Sequence, residues 1–337
     1  MTSSDNPQGL TPLGPAQHAY GFRGLFDPTT GITVAEPLGT GKGWWAGAPS
    51  VLFDPEKELF YLSYRLRKPR ELGRGGETLI AASHDGTRFE PVWRATKDAF
   101  NSPSIERCSL VKTPEGSYRL YVSFVDGVDG RWRIDMLEAP QVENLDPEQR
   151  VPILTADDVN GEGVKDPHVF MLGPCWYMLA SCTAKPQVLT PEVAAAMHAT
   201  ADVYNTGIVK SLTGLASSHD GLHWQWEGHV LTPPERGWDA YATRIGAFLY
   251  SPPVFTAFYD GSASVEQNYE ERIGLAVSLD LRHWRRVSVD RPALTSPFGS
   301  GSLRYLDAIP VGNYIYFYYE FAREDGSHEL RVNRMEV

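Results

Sequence analysis

The chain has only three cysteines, Cys108, Cys175 and Cys182, and no two are spaced as CxxC. An odd, scattered set excludes a disulfide framework and argues against a zinc site. No window approaches the roughly 18 uninterrupted apolar residues of a membrane span, so no membrane partner is expected. The opening MTSSDNPQGL has no basic patch leading into an apolar run. No signal peptide is read there, and a cytoplasmic location is expected. Basic residues are in deficit, 31 Lys and Arg against 42 Asp and Glu, a formal net charge of −11. Nucleic acid is therefore not an expected partner, since phosphate binding wants a basic surface. A P-loop, a Rossmann glycine fingerprint and a G-x-S-x-G elbow are all missing. What is plentiful is aromatic and turn-forming: 9 Trp, 16 Tyr, 14 Phe, 31 Gly and 25 Pro in 337 residues. Such a length allows two ordinary domains or one large one.

Self-similarity decides between them. Five segments share a short polar signature, an apolar run, a turn and an aromatic-rich run. They begin at Ala46 (AGAPSVLFDPEKELFYLSYR), Ser104 (SIERCSLVKTPEGSYRLYVSF), Val164 (VKDPHVFMLGPCWYMLASC), Thr243 (TRIGAFLYSPPVFTAFYDG) and Leu303 (LRYLDAIPVGNYIYFYYE). Signature positions near Ala48, Glu106, Asp166, Arg244 and Arg304 give gaps of 58, 60, 78 and 60 residues, so the third unit carries an insertion. The connecting DPEKE, TPEG, GP, SPP and VGN are turn chemistries between strand-like runs, so each segment reads as a hairpin. A second repeat, S-x-D-[GL]-x-x-[FW], recurs at Ser83–Phe89, Ser218–Trp224 and Ser278–Trp284. Its Asp is expected to fold back on the turn, over the aromatic ring. Units of about 60 residues and four strands predict an all-β, five-bladed β-propeller as one domain. The blades would span 42–100, 101–160, 161–238, 239–297 and 298–337. The last runs short of sequence, and an N-terminal strand within 20–41, centred on Ile32 to Leu38, would complete it and close the ring.

Propeller topology gathers the starts of the first strands and the loops between second and third strands on one face. That face is expected to collect Trp44, Trp45 and Ala48 from the first unit, and Glu106 and Arg107 from the second. Lys165, Asp166 and His168 come from the third, and Asp239, Tyr241, Arg244, Asp260, Glu266, Glu270 and Glu271 from the fourth. Arg304, Tyr305 and Glu320 come from the fifth. Carboxylates crowded with Arg and Trp at a narrow mouth are costly unless paired or used. Carbohydrate sites have this chemistry: carboxyls for proton transfer, Arg for hydroxyls, indole faces for sugar C–H surface. The insertion contains TPEVAAAMHA, with Thr190 as N-cap and Pro191 in the first turn of a short helix, a candidate lid.

These residues resemble the five-bladed propeller glycoside hydrolases of the arabinofuranosidase/xylosidase, invertase and mannoside-phosphorylase type. KDPHVF at Lys165 to Phe170, followed by WYMLASC, is similar to their RDPHVF…YYM stretch. AVSLDLRHW at Ala276 to Trp284 is similar to their S-x-D-L-x-x-W element. The resemblance implies a base Asp on the first blade, an orienting Asp in the DP motif and a Glu acid. Asp166 matches the DP-motif Asp, whereas the first-blade position reads Gly47-Ala48-Pro49 and lacks the Asp. No acid motif matches cleanly, and Glu162, Glu270 and Glu271 are the alternatives.

From the residues present, Glu106 or one of Glu270 and Glu271 is expected as acid, with Asp166 as base or orienting carboxylate. Arg244 and Arg304 would bind hydroxyls, a phosphate or a carboxylate. Trp44, Trp45, Arg107, Lys165, His168, Asp239, Tyr241, Asp260, Tyr305 and Glu320 complete the expected substrate contacts. The expected activity is carboxylate-catalysed cleavage of a terminal sugar from a small glycoside or oligosaccharide. Phosphorolysis is one alternative. A non-hydrolytic propeller, binding a metabolite or running another acid/base reaction, is a second. No cofactor or metal is required, although relatives hold a calcium or other ion in the channel near a His, here His168.

Overall fold

The structure, a computed structural model, describes residues 25–186 and 188–336. Residues 20–24 of the expected N-terminal strand region lie outside the described residues. Among the described residues the regular elements are strands, apart from one α-helix and short 3-10 turns. β1 (Ile32–Ala35) precedes β2 (Trp45–Asp54), β3 (Leu59–Arg67), β4 (Glu77–Ser83) and β5 (Glu90–Thr96). Then come β6 (Ile105–Lys112), β7 (Tyr118–Val125), β8 (Trp132–Ala139) and β9 (Val151–Leu154). β10 (Gly161–Leu172), β11 (Cys175–Ala184), β12 (Leu212–Ser218) and β13 (Trp224–Leu231) follow, with helix α1 (Pro191–His198) between β11 and β12. The chain ends with β14 (Ala242–Ser251), β15 (Val254–Ser262), β16 (Arg272–Ser278), β17 (Arg285–Arg286), β18 (Leu303–Val311), β19 (Tyr314–Ala322) and β20 (His328–Glu336).

The protein is all-β. Three antiparallel sheets are four-stranded, in the orders β6-β7-β8-β9, β10-β11-β12-β13 and β14-β15-β16-β17. A fourth runs β18-β19-β20-β2-β3-β4-β5, and its halves meet through one parallel pair, Trp45 with His328. β1 lies antiparallel on β20, with Ile32 opposite Val332. The five hairpins read from the sequence are β2–β3, β6–β7, β10–β11, β14–β15 and β18–β19. Their first strands touch in succession, β2 with β6, β6 with β10, β10 with β14, β14 with β18 and β18 with β2. Apolar clusters fill the space between neighbouring sheets. Tyr61 and Ile80 pack on Leu110 and Leu120, and Tyr121 and Met136 on Val164 and Met178. Each such side chain contributes about 1.5–3 kcal/mol by leaving water.

The S-x-D turns share one construction. Ser83, Ser218 and Ser278 Oγ accept the amides of Gly86, Gly221 and Leu281 at 3.0, 2.9 and 3.0 Å. Asp85, Asp220 and Asp280 each receive two further turn amides on Oδ1. The His283 ring on Asp280, the turn amides on all three and the His223 ring on Asp220 favour the carboxylate, so all three carboxyls are held below their ordinary value.

Every first strand is bulged near its start, between Gly47 and Ser50, Ile105 and Cys108, Lys165 and His168, Ile245 and Ala247, and Arg304 and Asp307. Bulges re-aim side chains, and here they do so at the charged signatures. Their hydrogen bonds correct one expected equivalence. Leu110 N donates to Ser50 Oγ and Val169 N to Ser109 Oγ, both at 3.0 Å. Val51, Leu110 and Val169 are thus matched positions, which places Arg107, not Glu106, at the level of Asp166. Glu106 sits at the level of Lys165. Asp166 N donates to Ser123 Oγ and Tyr305 N to Asp260 Oδ1, so Tyr305, not Arg304, is the matching residue in β18. Ala48, Asp166 and Tyr305 share a left-handed backbone, φ 55°, 54° and 51°. The first sheet therefore keeps the conformation of the Asp166 position without its carboxylate.

Candidate active site

Charged side chains from β3, β6, β10, β14, β15, β18 and β19 converge at these bulges and are nearly all excluded from solvent. Arg65 Nε donates to Glu106 Oε2 at 2.6 Å, and Arg67 NH1 lies 3.6 Å from Oε1. Arg304 donates to Glu320 Oε1 at 2.8 Å and to Glu271 Oε2 at 2.9 Å. Arg244 NH2 lies 2.6 Å from Glu271 Oε1 and 3.5 Å from Asp260 Oδ2, while its NH1 is 4.0 Å from Asp166 Oδ2. Lys165 Nζ is 3.6 Å from the same Asp166 oxygen. Tyr305 lies beneath the guanidinium groups of Arg65, Arg244 and Arg304, 5.0–5.5 Å from its ring centre, with its hydroxyl 3.5 Å from Asp166 Oδ2. Only glycine fits at position 47, because a Cβ there would lie 2.0 Å from Glu320 Oε2.

The carboxyls differ in protonation. Burial pushes Glu106 up, but Arg65, Lys165 and Arg67 outweigh it and hold the group well below its usual range. The same contest, won by Arg244 and Arg304, holds Glu271 at about 2. Glu320 is held low, against burial, by Arg304, Arg65 and His328. Glu270 is also lowered against burial, chiefly by His328, whose Nε2 is 3.1 Å away. Asp260 goes the other way. Burial pushes it up to about 7; Arg244 pulls it down and the nearby Glu271 charge pushes it up again. Asp166 Oδ1 is buried with no hydrogen-bond partner, as are N–H groups of Arg65, Arg67, Arg244 and Arg304. Unsatisfied buried groups of this kind are costly, and a bound ligand or water relieves the cost.

The insertion roofs the site. Tyr204 hydroxyl donates to Gly163 O and Ser181 O, both at 3.3 Å, and Tyr241 hydroxyl donates to Tyr204 O at 2.7 Å. Asp202 is buried, accepting from Trp132 Nε1 at 3.0 Å, from Arg74 NH1 at 3.3 Å and from the Tyr269 hydroxyl. His198 of α1 lies 3.2 Å from Glu162. Thr190 caps α1 as read from the sequence, accepting Val193 N at 3.3 Å.

Of the expected residues, Trp45, Glu106, Lys165, Asp166, Arg244, Asp260, Glu270, Glu271, Arg304, Tyr305 and Glu320 come together. Others do not. Arg107 spans the interior, donating to Pro49 O at 2.9 Å and Gly246 O at 2.6 Å, and so ties β6 to β2 and β14. His168 is half-buried against Phe170 and Phe248, and desolvation, then the Arg107 charge, push it down to about 3. A cation beside it would meet that same guanidinium. No group of three or more His, Cys, Asp or Glu side chains is placed to hold a metal ion among the described residues. Asp239 is committed to Arg286, at 2.9 Å through both oxygens, and to Tyr259. Tyr241 serves the roof, Trp44 packs over Gly39 and Glu266 is exposed. The sequence reading missed Arg65, Arg67, Arg74, Asp202, Tyr269 and His328. Arg65 and Arg67 carried a signal: two cations at alternate positions, on one side of an otherwise apolar strand.

No family model matches the chain, and no curated protein sequence does. Solved structures do. A glycosyl hydrolase from Bacteroides ovatus superposes with a TM-score of 0.62 at 14% identity, over 93% of this chain and 95% of that one. A β-1,2-mannobiose phosphorylase from Listeria innocua gives 0.61 at 15%, over 90% and 94%. A thermostable family-43 glycoside hydrolase gives 0.64 at 14%, over 90% and 92%. At such identities the likeness is one of fold, and it extends over nearly the whole chain, the fold of solved glycoside hydrolases and of a mannobiose phosphorylase.

Proposed function

We propose that the protein is a glycoside-cleaving enzyme built as a closed ring of five four-stranded blades, with β1 completing the fifth. The ring is supported by the unbroken succession of contacts from β2 through β6, β10, β14 and β18 back to β2. The proposed blade limits are 42–100, 101–160, 161–238, 239–297 and 298–337. The substrate is a small glycoside or oligosaccharide held where the charged signatures converge. The observation that carries this reading is the pair flanking Arg244: Asp260, held near half-protonation at neutral pH, and Asp166, with one buried oxygen free. Two carboxyls on one guanidinium are within ~10 Å of each other, compatible with the roughly 6.5–9.5 Å of an inverting pair.

Asp260 gives its proton to the leaving oxygen as the glycosidic C–O bond breaks. Asp166 Oδ1 accepts a proton from the water whose oxygen bonds the same carbon. Asp260 is favoured over Glu106, Glu270 and Glu271 as the acid, because their cationic neighbours keep those three ionised. Arg244, Arg304 and Lys165 bind hydroxyls, while Trp45, covered by Arg67, Arg304 and the stacked His328, supports the site from behind. A second reading, phosphorolysis, is favoured by the unsatisfied N–H groups of Arg65, Arg67, Arg244 and Arg304. The absent carboxylate at Ala48 favours a third, in which the ring binds a sugar or metabolite, or runs a different acid/base reaction. Nitrophenyl glycosides, assayed with and without phosphate, separate the three. Release in water supports hydrolysis, release only with phosphate supports phosphorolysis, and no release from any sugar supports the third.

A further inference from the structure

Beside the buried site is an open cleft of about 320 Å³, formed by the approach to β2 and the end of β3 together with Tyr269. Four cations line it, Lys42, Arg67, Lys68 and Arg70, against one carboxylate, Glu71. In a chain of net charge −11 this is a local reversal of sign. Lys42, Lys68 and Arg70 form no ion pair among the described residues, although Arg70 reaches the side-chain amide of Asn205. Arg67 forms the floor. Its side chain is 2% exposed and lies over the rings of both Trp45 and Tyr269, 4.4 and 4.3 Å from their centres. Its Nε and NH1 are buried without hydrogen-bond partners. That NH1 lies 3.6 Å from Glu106 Oε1, beyond hydrogen-bond range, so Arg67 is the wall shared by the cleft and the charged site.

A fixed guanidinium with unsatisfied donors, beside three exposed cations that have no carboxylate partner among the described residues, is a receptor for an oxyanion. We infer that the substrate carries an anionic group, a carboxylate or a phosphate, which docks in this cleft while the glycosidic bond lies below it. This rests on the glycoside-cleaving reading and narrows its substrate class. The volume suits a group about the size of one sugar unit. Surface cations alone would attract an anion weakly; the buried, stacked Arg67 supplies the direction of approach.

Calorimetric titration of the full chain with D-glucuronate, with inorganic phosphate and with uncharged D-glucose tests the inference without requiring turnover. One of the anions is expected to bind more tightly than glucose, to weaken in 0.5 M salt as screening requires, and to weaken at least tenfold in Lys68→Ala/Arg70→Ala. Arg285→Ala/Arg334→Ala, on β17 and β20 away from the cleft, likewise removes two positive charges and should leave binding unchanged. Binding of glucuronate points to a sugar carboxylate; binding of phosphate that weakens in the Lys68→Ala/Arg70→Ala variant points to a phosphorylated substrate, whereas phosphate held equally by parent and that variant belongs to the phosphorolytic reading and overturns this one. The inference is overturned if neither anion binds, or if both variants bind as the parent does. Cleavage of neutral glycosides without anion binding would leave the glycosidase reading standing and remove this one alone.

Discussion

Arg244 lies 2.6 Å from Glu271 but 3.5 Å from Asp260, so its charge is committed to Glu271 and only partly offsets the burial of Asp260. That asymmetry separates two carboxyls around one guanidinium, an anion at about 2 and an acid at about 7. Environment, not residue type, sets the roles.

Asp166→Asn is expected to lower kcat on a cleaved glycoside by about 10²–10⁴, the usual contribution of a positioned acid or base. Binding of substrate should change far less. Steady-state kinetics with the nitrophenyl glycoside that the parent cleaves checks it, and a rate within a few-fold of the parent would remove Asp166 from the chemistry.

Linkage gives a stability signature. Asp260 has a folded value above the ordinary 3.8 or so, so its contribution is complete below that value and is lost as pH rises towards about 7. Asp260→Asn should therefore gain stability relative to the parent between about pH 4 and 7, by roughly 4 kcal/mol at most. Glu106, Glu271 and Glu320 are depressed and act oppositely, stabilising above the usual carboxylate range and losing that as pH falls below it. Urea melts of both proteins at pH 4 and 7.5 read the difference directly.

Glu106→Gln leaves Arg67 buried without its counter-charge and Arg65 with only the longer contact to Glu320, 3.6 Å away. A loss of about 3–5 kcal/mol is expected, as for other broken buried pairs. Asp239→Asn, which frees Arg286, should also destabilise but should leave kcat per folded molecule unaltered, because Asp239 does not face the site. Melting temperatures paired with specific activity separate the two.

Asp202 pins the insertion over the site through Trp132, Arg74 and Tyr269. Asp202→Asn is expected to speed amide exchange in residues 190–206 by at least tenfold, with exchange in β6 and β10 unaffected. Uniform exchange across the chain would mean that Asp202 does not hold the roof.

Much of this architecture is legible in the chain itself, because hairpin signals are local. The GP and VGN turns and the runs around Tyr61 and Tyr318 mark strands without tertiary information. The three S-x-D turns repeat the same hydrogen bonds for the same reason. The site is less legible, because register is set by pairing between strands. The bulges shift Arg107 to the level of Asp166, and no spacing in SIERCSLV announces that. His328 and Glu270 are 58 residues apart and meet only through folding. Asp260 could be named as a site residue, but its role depends on which partner Arg244 prefers, a matter of ångströms.

The most direct test is the pH dependence of kcat/KM for the parent and for Asp260→Asn on the same glycoside. A basic limb near pH 7 is expected in the parent, and in the variant a rate at least 10²-fold lower with that limb gone. An Asp260→Asn enzyme with near-parental rate and an unchanged basic limb would contradict it.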